Sequence, residues 1–167
     1  DAAATLHAMA ALWDLPLPDV AAQVALGADV PVCMGRKPVL MQGIGAQISP
    51  LSDLPPLFAC LVNPGHGLST VRVFEQLASK SNPPLEPPPP VAREFCAWLK
   101  RQRNDLQAPA LAAEPMIADV LGALAAQAPL LARMSGSGAT CFALFESLAA
   151  AQDCAAAIQA TQRAWWV

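Results

Sequence analysis

A strand, a tight glycine loop and a second strand follow one another directly between Leu130 and Phe145, and no other stretch restricts the fold as much. Leu130 to Met134 reads as the first strand. Ser135-Gly136-Ser137-Gly138 is the loop, and the continuous apolar run Thr140-Cys141-Phe142-Ala143-Leu144-Phe145 is the second strand. The loop fits two roles. Glycines let the main chain approach an anion closely, so 135–138 can be a nest of backbone N–H groups facing a phosphate, and an ordinary hairpin turn fits as well.

The rest of the chain alternates helical and extended patterns. Leu6, Met9 and Trp13 recur at i, i+3 and i+7 in an Ala-rich segment, which predicts a helix over Ala2 to Trp13. Pro18 and Asp19 open, and Gly27 stops, a short helix from about Pro18 to Ala25, and Gly27 to Pro31 reads as a turn. Pro38 to Met41, Gln47 to Ser49 and Phe58 to Val62 have strand character, separated by Gly43, Gly45 and Pro50. Ser69 or Thr70 caps a helix beginning near Val71 with Val73, Phe74 and Leu77. Six prolines between Asn82 and Val91 exclude a helix or internal strand and predict an extended surface loop. Beyond it, Val91, Phe95, Trp98 and Leu99 mark a helix with one bulky buried face, opposite Arg93, Glu94 and Lys100. Further helices are predicted from Pro115, with Met116, Val120, Leu121 and Leu124 as the buried stripe, and over Leu148 to Thr161. Trp165-Trp166-Val167 reads as the start of a last strand. The fold class is α+β.

Composition removes several function classes. The 167 residues carry 10 Lys+Arg against 13 Asp+Glu, only 14% charged and 54% apolar, so overall disorder is excluded and a sizeable core is available. The acidic balance argues against nucleic acid or an anionic membrane as partner, and the one basic cluster, Lys100, Arg101 and Arg103, suits a solvated helix end. The longest apolar stretch, Met116 to Ala132, is interrupted by Asp119, Gln127 and Pro129, well short of a membrane span, and no secretory signal is present, so a soluble cytoplasmic protein is expected. Cys33, Cys60, Cys96, Cys141 and Cys154 include no Cys-x-x-Cys pair and read as free thiols.

Three further positions bear on chemistry. Asp29 lies between an apolar helix end and Val30-Pro31, where a carboxylate is expected to be partly buried near backbone amides; a turn-capping role and a catalytic role both fit. Thr70 and Phe74 are one helical turn apart, either lining one side of a cleft or serving as N-cap and core phenylalanine. His7 and His66 have no acidic or thiol partner at a recognisable spacing and read as surface histidines without metal or triad chemistry.

Three segments in this order resemble the second half of a GHMP-type small-molecule kinase, most closely the members acting on a cytidine diphosphate-linked methylerythritol. They are Leu26-Gly27-Ala28-Asp29-Val30-Pro31-Val32, Leu61-Val62-Asn63-Pro64-Gly65 running on to Ser69-Thr70 and Phe74, and Met134-Ser135-Gly136-Ser137-Gly138-Ala139-Thr140-Cys141-Phe142. Asn104-Asp105-Leu106 and the Gly43-Ile44-Gly45 turn look similar too. The resemblance implies the end of the N-terminal, ATP-binding domain over 1–55 and most of the C-terminal domain over 56–167, lacking its last strand. It implies Asp29 as the catalytic aspartate, Thr70 and Phe74 as substrate-binding with Phe74 against the cytosine ring, and Gly136, Ser137 and Gly138 as the nucleotide-phosphate loop. ATP and Mg²⁺ are the implied cofactors, and the implied reaction transfers the γ-phosphoryl group to the 2-hydroxyl of the methylerythritol. The family's N-terminal lysine strand and first Gly/Ser-rich phosphate loop are not in this sequence. Both ends therefore look cut, the missing N-terminal segment is itself an expected partner, and the chain alone is expected to be inactive, with an exposed apolar face on its first helix. Gln47 and Gln107 stand where the resemblance suggests acidic residues. Two other readings remain: a non-catalytic module binding a small anion, and a GHMP kinase with another small-alcohol acceptor of the homoserine or mevalonate type.

Overall fold

The computed structural model describes residues 1–35, 37–43, 47–51, 54–79, 81–83, 85–89 and 92–167. Helices and antiparallel sheets are mixed, an α+β fold, and the chain divides into two compact units, Asp1–Leu54 and Pro55–Val167.

In the first unit, α1 (Ala2–Trp13), α2 (Val20–Leu26) and α3 (Val30–Met34) precede a hairpin of β1 (Val39–Gln42) and β2 (Gln47–Pro50). α2 begins two residues after Pro18 because Asp19 is its N-cap: extended at φ −66° and ψ 168°, it accepts the Ala22 N–H on its carboxylate at 2.8 Å. The Gly27 to Pro31 stretch is a turn only as far as Asp29. Val30–Met34 then closes a short helix, which tolerates Pro31 because N–H groups of a first turn lack intrahelical acceptors. His7 is no free surface histidine: its Nε2 donates to the Met34 carbonyl at 3.2 Å and ties α1 to α3. Much of the apolar surface of α1 stays exposed, with Leu12 75% and Trp13 56% accessible. In the hairpin Gln47 pairs with Gln42, and Gly43 opens the turn at φ +65°; Ile44, Gly45 and Ala46 lie outside the described residues.

The second unit is built on an antiparallel sheet in the order β3 (Phe58–Val62), β5 (Cys141–Phe145), β4 (Leu131–Met134). The apolar run of β5 is explained by its central place. Cys141 stands opposite both Val62 and Met134, and Cys141, Ala143 and Phe145 are buried while Phe142 and Leu144 are half-buried. α7 (Met116–Ala125) packs on β4 and β5, and α8 (Leu148–Thr161) on β3 and β5. Ile117, Val120 and Leu124, at i, i+3 and i+7 of α7, are completely buried, each worth about 1.5–3 kcal/mol in transfer terms.

α4 (Thr70–Glu75) packs against α6 (Gln107–Ala113), and α5 (Ala92–Arg101) buries Phe95 and Trp98, stacked with centroids 5.7 Å apart. Val91, expected on the same stripe, lies outside the described residues. Lys100 and Arg101 occupy the last turn of α5, while Arg103 turns away to Asp105 and Asn82. Arg133 of β4 donates to the carbonyls of Leu99 and Gln102 at 3.0 and 2.7 Å and so satisfies acceptors at the end of α5. Trp166 forms one two-way bridge with Asn63, both N–H···O distances 2.9 Å, on the side of β3 away from β5.

The five cysteines are free. Burial pushes the Cys141 thiol up to about 11 and that of Cys154, which also neighbours Cys60, up to about 12. Below pH 9 folded and unfolded chains both keep these protons. Between pH 9 and about 11–12 the unfolded chain loses protons that the folded chain retains, so stability is expected to fall as pH rises through this window. Urea titrations at pH 8, 9.5 and 10.5 check the direction. A maleimide at pH 8 should label exposed Cys33 rapidly and Cys141 and Cys154 only after unfolding.

Candidate functional site: a glycine turn held by polar side chains

The loop joining β4 to β5 is a turn with a defined hydrogen-bond pattern. Ser135 N–H donates to the Thr140 carbonyl at 2.9 Å, and Gly138 N–H donates to the Ser135 carbonyl at 3.0 Å. Gly136 has φ +54° and Ser137 does not share the positive sign, the type II′ pattern that favours glycine at the first central position. Gly138 has φ +88°, and a Cβ there would stand 3.0 Å from Leu68 Cδ2 and from Met134 Sδ, whereas around Gly136 nothing lies within 4 Å. The two glycines thus do different things: Gly136 shapes the exposed turn, and Gly138 lets it seat against the core.

Four side chains from elsewhere in the unit hold the turn. Asn104 Nδ2 donates to the carbonyls of Met134 at 3.1 Å and Gly136 at 2.8 Å, while its Oδ1 accepts the Leu106 N–H at 3.1 Å. Gln107 Oε1 accepts the Met134 N–H more loosely, at 3.5 Å. Gln107 stands where the family resemblance suggests an acid, and an amide oxygen fills the same acceptor role. Asn63 donates to Thr140 Oγ1 at 2.8 Å and accepts from Gly65 N–H at 2.7 Å. The Thr70 hydroxyl meets that of Ser137 at 2.9 Å.

The structure corrects the N-cap and core alternative at Thr70 and Phe74. Ser69 is the N-cap of α4, its hydroxyl accepting the Arg72 N–H at 3.4 Å, so the Thr70 hydroxyl is free to reach the turn. Phe74 is 44% exposed, and the core position is taken by completely buried Val73. Thr70, Phe74 and the glycine turn are therefore in one unit, with Thr70 and Ser137 in direct contact. Asp29 lies in the other unit. Its main-chain carbonyl accepts the Cys33 N–H at 3.2 Å, but its carboxylate makes no capping hydrogen bond and is exposed, which corrects the expected partial burial.

His66 does have an acidic partner, Glu114, with Nδ1 3.1 Å from Oε2 across 48 residues of sequence. The Met116 N–H, and then His66, hold the Glu114 carboxyl below its ordinary range. Among the described residues no group of three or more His, Cys, Asp and Glu side chains gathers to hold a metal ion. Nor is any described helix long and apolar enough to cross a membrane.

Residues 90–164 match the family model for the GHMP kinases C terminal. This segment is similar to the C-terminal domain of GHMP kinases. The similarity extends beyond the GHMP domain along the whole chain. It is 51% identical to a 4-diphosphocytidyl-2-C-methyl-D-erythritol kinase of Cereibacter sphaeroides and 52% identical to one of Paracoccus denitrificans, covering 100% of this chain and 62% and 60% of those proteins. The chain thus spans about three fifths of the length of these curated relatives. A crystal structure of a 4-(cytidine 5'-diphospho)-2C-methyl-D-erythritol kinase superposes on 99% of the chain and 61% of its own with a TM-score of 0.75 at 28% identity.

Proposed function

We propose that this chain is the C-terminal share of an ATP-dependent kinase that phosphorylates the 2-hydroxyl of a cytidine diphosphate-linked methylerythritol in isoprenoid precursor biosynthesis in the cytoplasm. The observation that carries the reading is identity of about one half, sustained over the whole chain, to kinases named for that substrate. In this reading residues 1–55 are the end of the ATP-binding domain and 56–167 most of the C-terminal domain, and catalysis requires the part of the relatives' length that this chain does not span. Gly136, Ser137 and Gly138 form the nucleotide-phosphate loop, where the Ser137 N–H, without an acceptor among the described residues, is a donor for a phosphate oxygen. Thr70 fixes Ser137 through their hydroxyl contact, and exposed Phe74 offers a face to the cytosine ring. Asp29 accepts the proton of the acceptor hydroxyl as the oxygen bonds to the γ-phosphorus and the bond from that phosphorus to the β–γ bridging oxygen breaks, releasing ADP. Mg²⁺ is expected to enter with the nucleotide phosphates, which supply oxygen ligands to it in kinase sites.

The test is release of ADP by the full-length protein with the cytidine-linked acceptor. Turnover with this acceptor, competed by cytidine nucleotides, is the expected result; absence of turnover with it overturns the reading. Phe74→Ala should raise the acceptor KM about tenfold, in line with a base-stacking contribution of about 1–3 kcal/mol, and leave the ATP KM unchanged. An unchanged acceptor KM would remove Phe74 from the site.

A further inference from the structure

We propose that Asn104 is the positioning residue that aims the turn's N–H outward, a role that deepens the nucleotide-phosphate reading above and rests on it for its link to ATP. Peptide geometry couples each held carbonyl to the next N–H. In a trans peptide the C=O and the following N–H point in opposite directions, so a side chain that holds a carbonyl also fixes the next N–H. Asn104 Nδ2 holds two carbonyls of the turn region, those of Met134 and Gly136. The N–H paired with the first belongs to Ser135 and is used internally, by the Thr140 carbonyl. The N–H paired with the second belongs to Ser137 and has no acceptor among the hydrogen bonds of the described residues. One amide group therefore pins the inner side of the turn and leaves one donor facing away from it. The Asn104 side chain is itself fixed, because its Oδ1 accepts the Leu106 N–H in the approach to α6.

Asn104→Asp separates this role from a packing role. It keeps the size and the Oδ1 acceptor for Leu106 and removes the donor, setting a carboxylate oxygen against two carbonyls. Asn104→Ala removes both functions and serves if the aspartate variant does not fold. Two measurements are made. In the ligand-free 167-residue chain, ¹⁵N relaxation of Gly136 and Ser137 reports whether the turn is held, and in the full-length protein steady-state kinetics separate ATP from acceptor. Substitution is expected to lower the order parameters at 136 and 137 below about 0.6, raise the ATP KM at least tenfold and leave the acceptor KM within twofold. Unchanged order parameters overturn the positioning role whatever the kinetics show. Loosened turns with an unchanged ATP KM overturn its link to the nucleotide. Loss of order in the variants together with a wild type that neither binds nor hydrolyses ATP sinks the kinase reading and leaves Asn104 as the residue that holds the turn.

Discussion

Asp29→Asn is expected to lower the turnover of the full-length enzyme by about 10²–10⁴-fold with ATP and the cytidine-linked acceptor, the range typical of a lost general base. The substitution is well suited to the question. The carboxylate is exposed and makes no capping hydrogen bond, so the asparagine removes charge and basicity without breaking a contact that holds α3. Stability should change by no more than about 0.5 kcal/mol, the usual span for surface positions, and a thermal melt checks this. A fall confined to kcat, with both KM values near wild type, assigns Asp29 to the transition state. A rise in acceptor KM at constant kcat would instead make it a binding residue, and activity within threefold of wild type would remove it from the reaction.

Gly138→Ala should destabilise the second unit by about 2–5 kcal/mol. Two costs add there. A non-glycine residue in the left-handed region costs about 1–2 kcal/mol, and forcing a methyl into a filled core typically costs about 1–3 kcal/mol more. The new methyl carbon would meet Leu68 and Met134 at 3.0 Å and Ile117 at 3.3 Å, the last completely buried on α7. Against a total stability of about 5–15 kcal/mol this is a large loss. Gly136→Ala supplies the control: its φ is also positive, +54°, but the space around it is open, so only the backbone cost applies. Urea denaturation of both variants should show the alanine at 138 losing clearly more than the alanine at 136. Equal losses would mean that the core yields around position 138.

The same pair of glycines shows what the sequence can and cannot convey. The strand, loop and strand were legible because each is a local pattern: β5 falls at Cys141–Phe145, as its apolar run predicts, and α8 spans Leu148–Thr161 as expected. That the side of Gly138 faces Leu68 and Ile117 was not legible, since those contacts join residues distant in the chain. His66 and Glu114 meet across 48 residues for the same reason, and their pairing has no sequence signature. The misses in secondary structure centre on proline. The expected turn ends at Pro31 and no helix is expected around Pro109, yet each lies within the first turn of a short helix, α3 and α6, where the missing N–H costs no hydrogen bond. In the candidate site, the hydroxyl contact between Thr70 and Ser137 follows from Ser69 taking the cap, a choice between adjacent hydroxyls that the sequence leaves open. Asn63 and Asn104 stood within segments that carried the family resemblance, but their work as clamps depends on which carbonyls and hydroxyls the fold brings within 3.1 Å.

The segment from Leu99 to Gln107 also has a consequence for how the sheet meets other polypeptides. Arg133 engages the carbonyls of Leu99 and Gln102, and Asn104 and Gln107 engage the carbonyl and N–H of Met134. The side chains of this segment thus occupy the flank of β4 that an invading strand would use, a form of protection against edge-to-edge aggregation. On the opposite flank the backbone pairing among the described residues is the single bridge of Asn63 with Trp166. The two edges of the sheet are thus met in different ways, that of β4 by side chains that also hold the glycine turn and that of β3 by a backbone bridge.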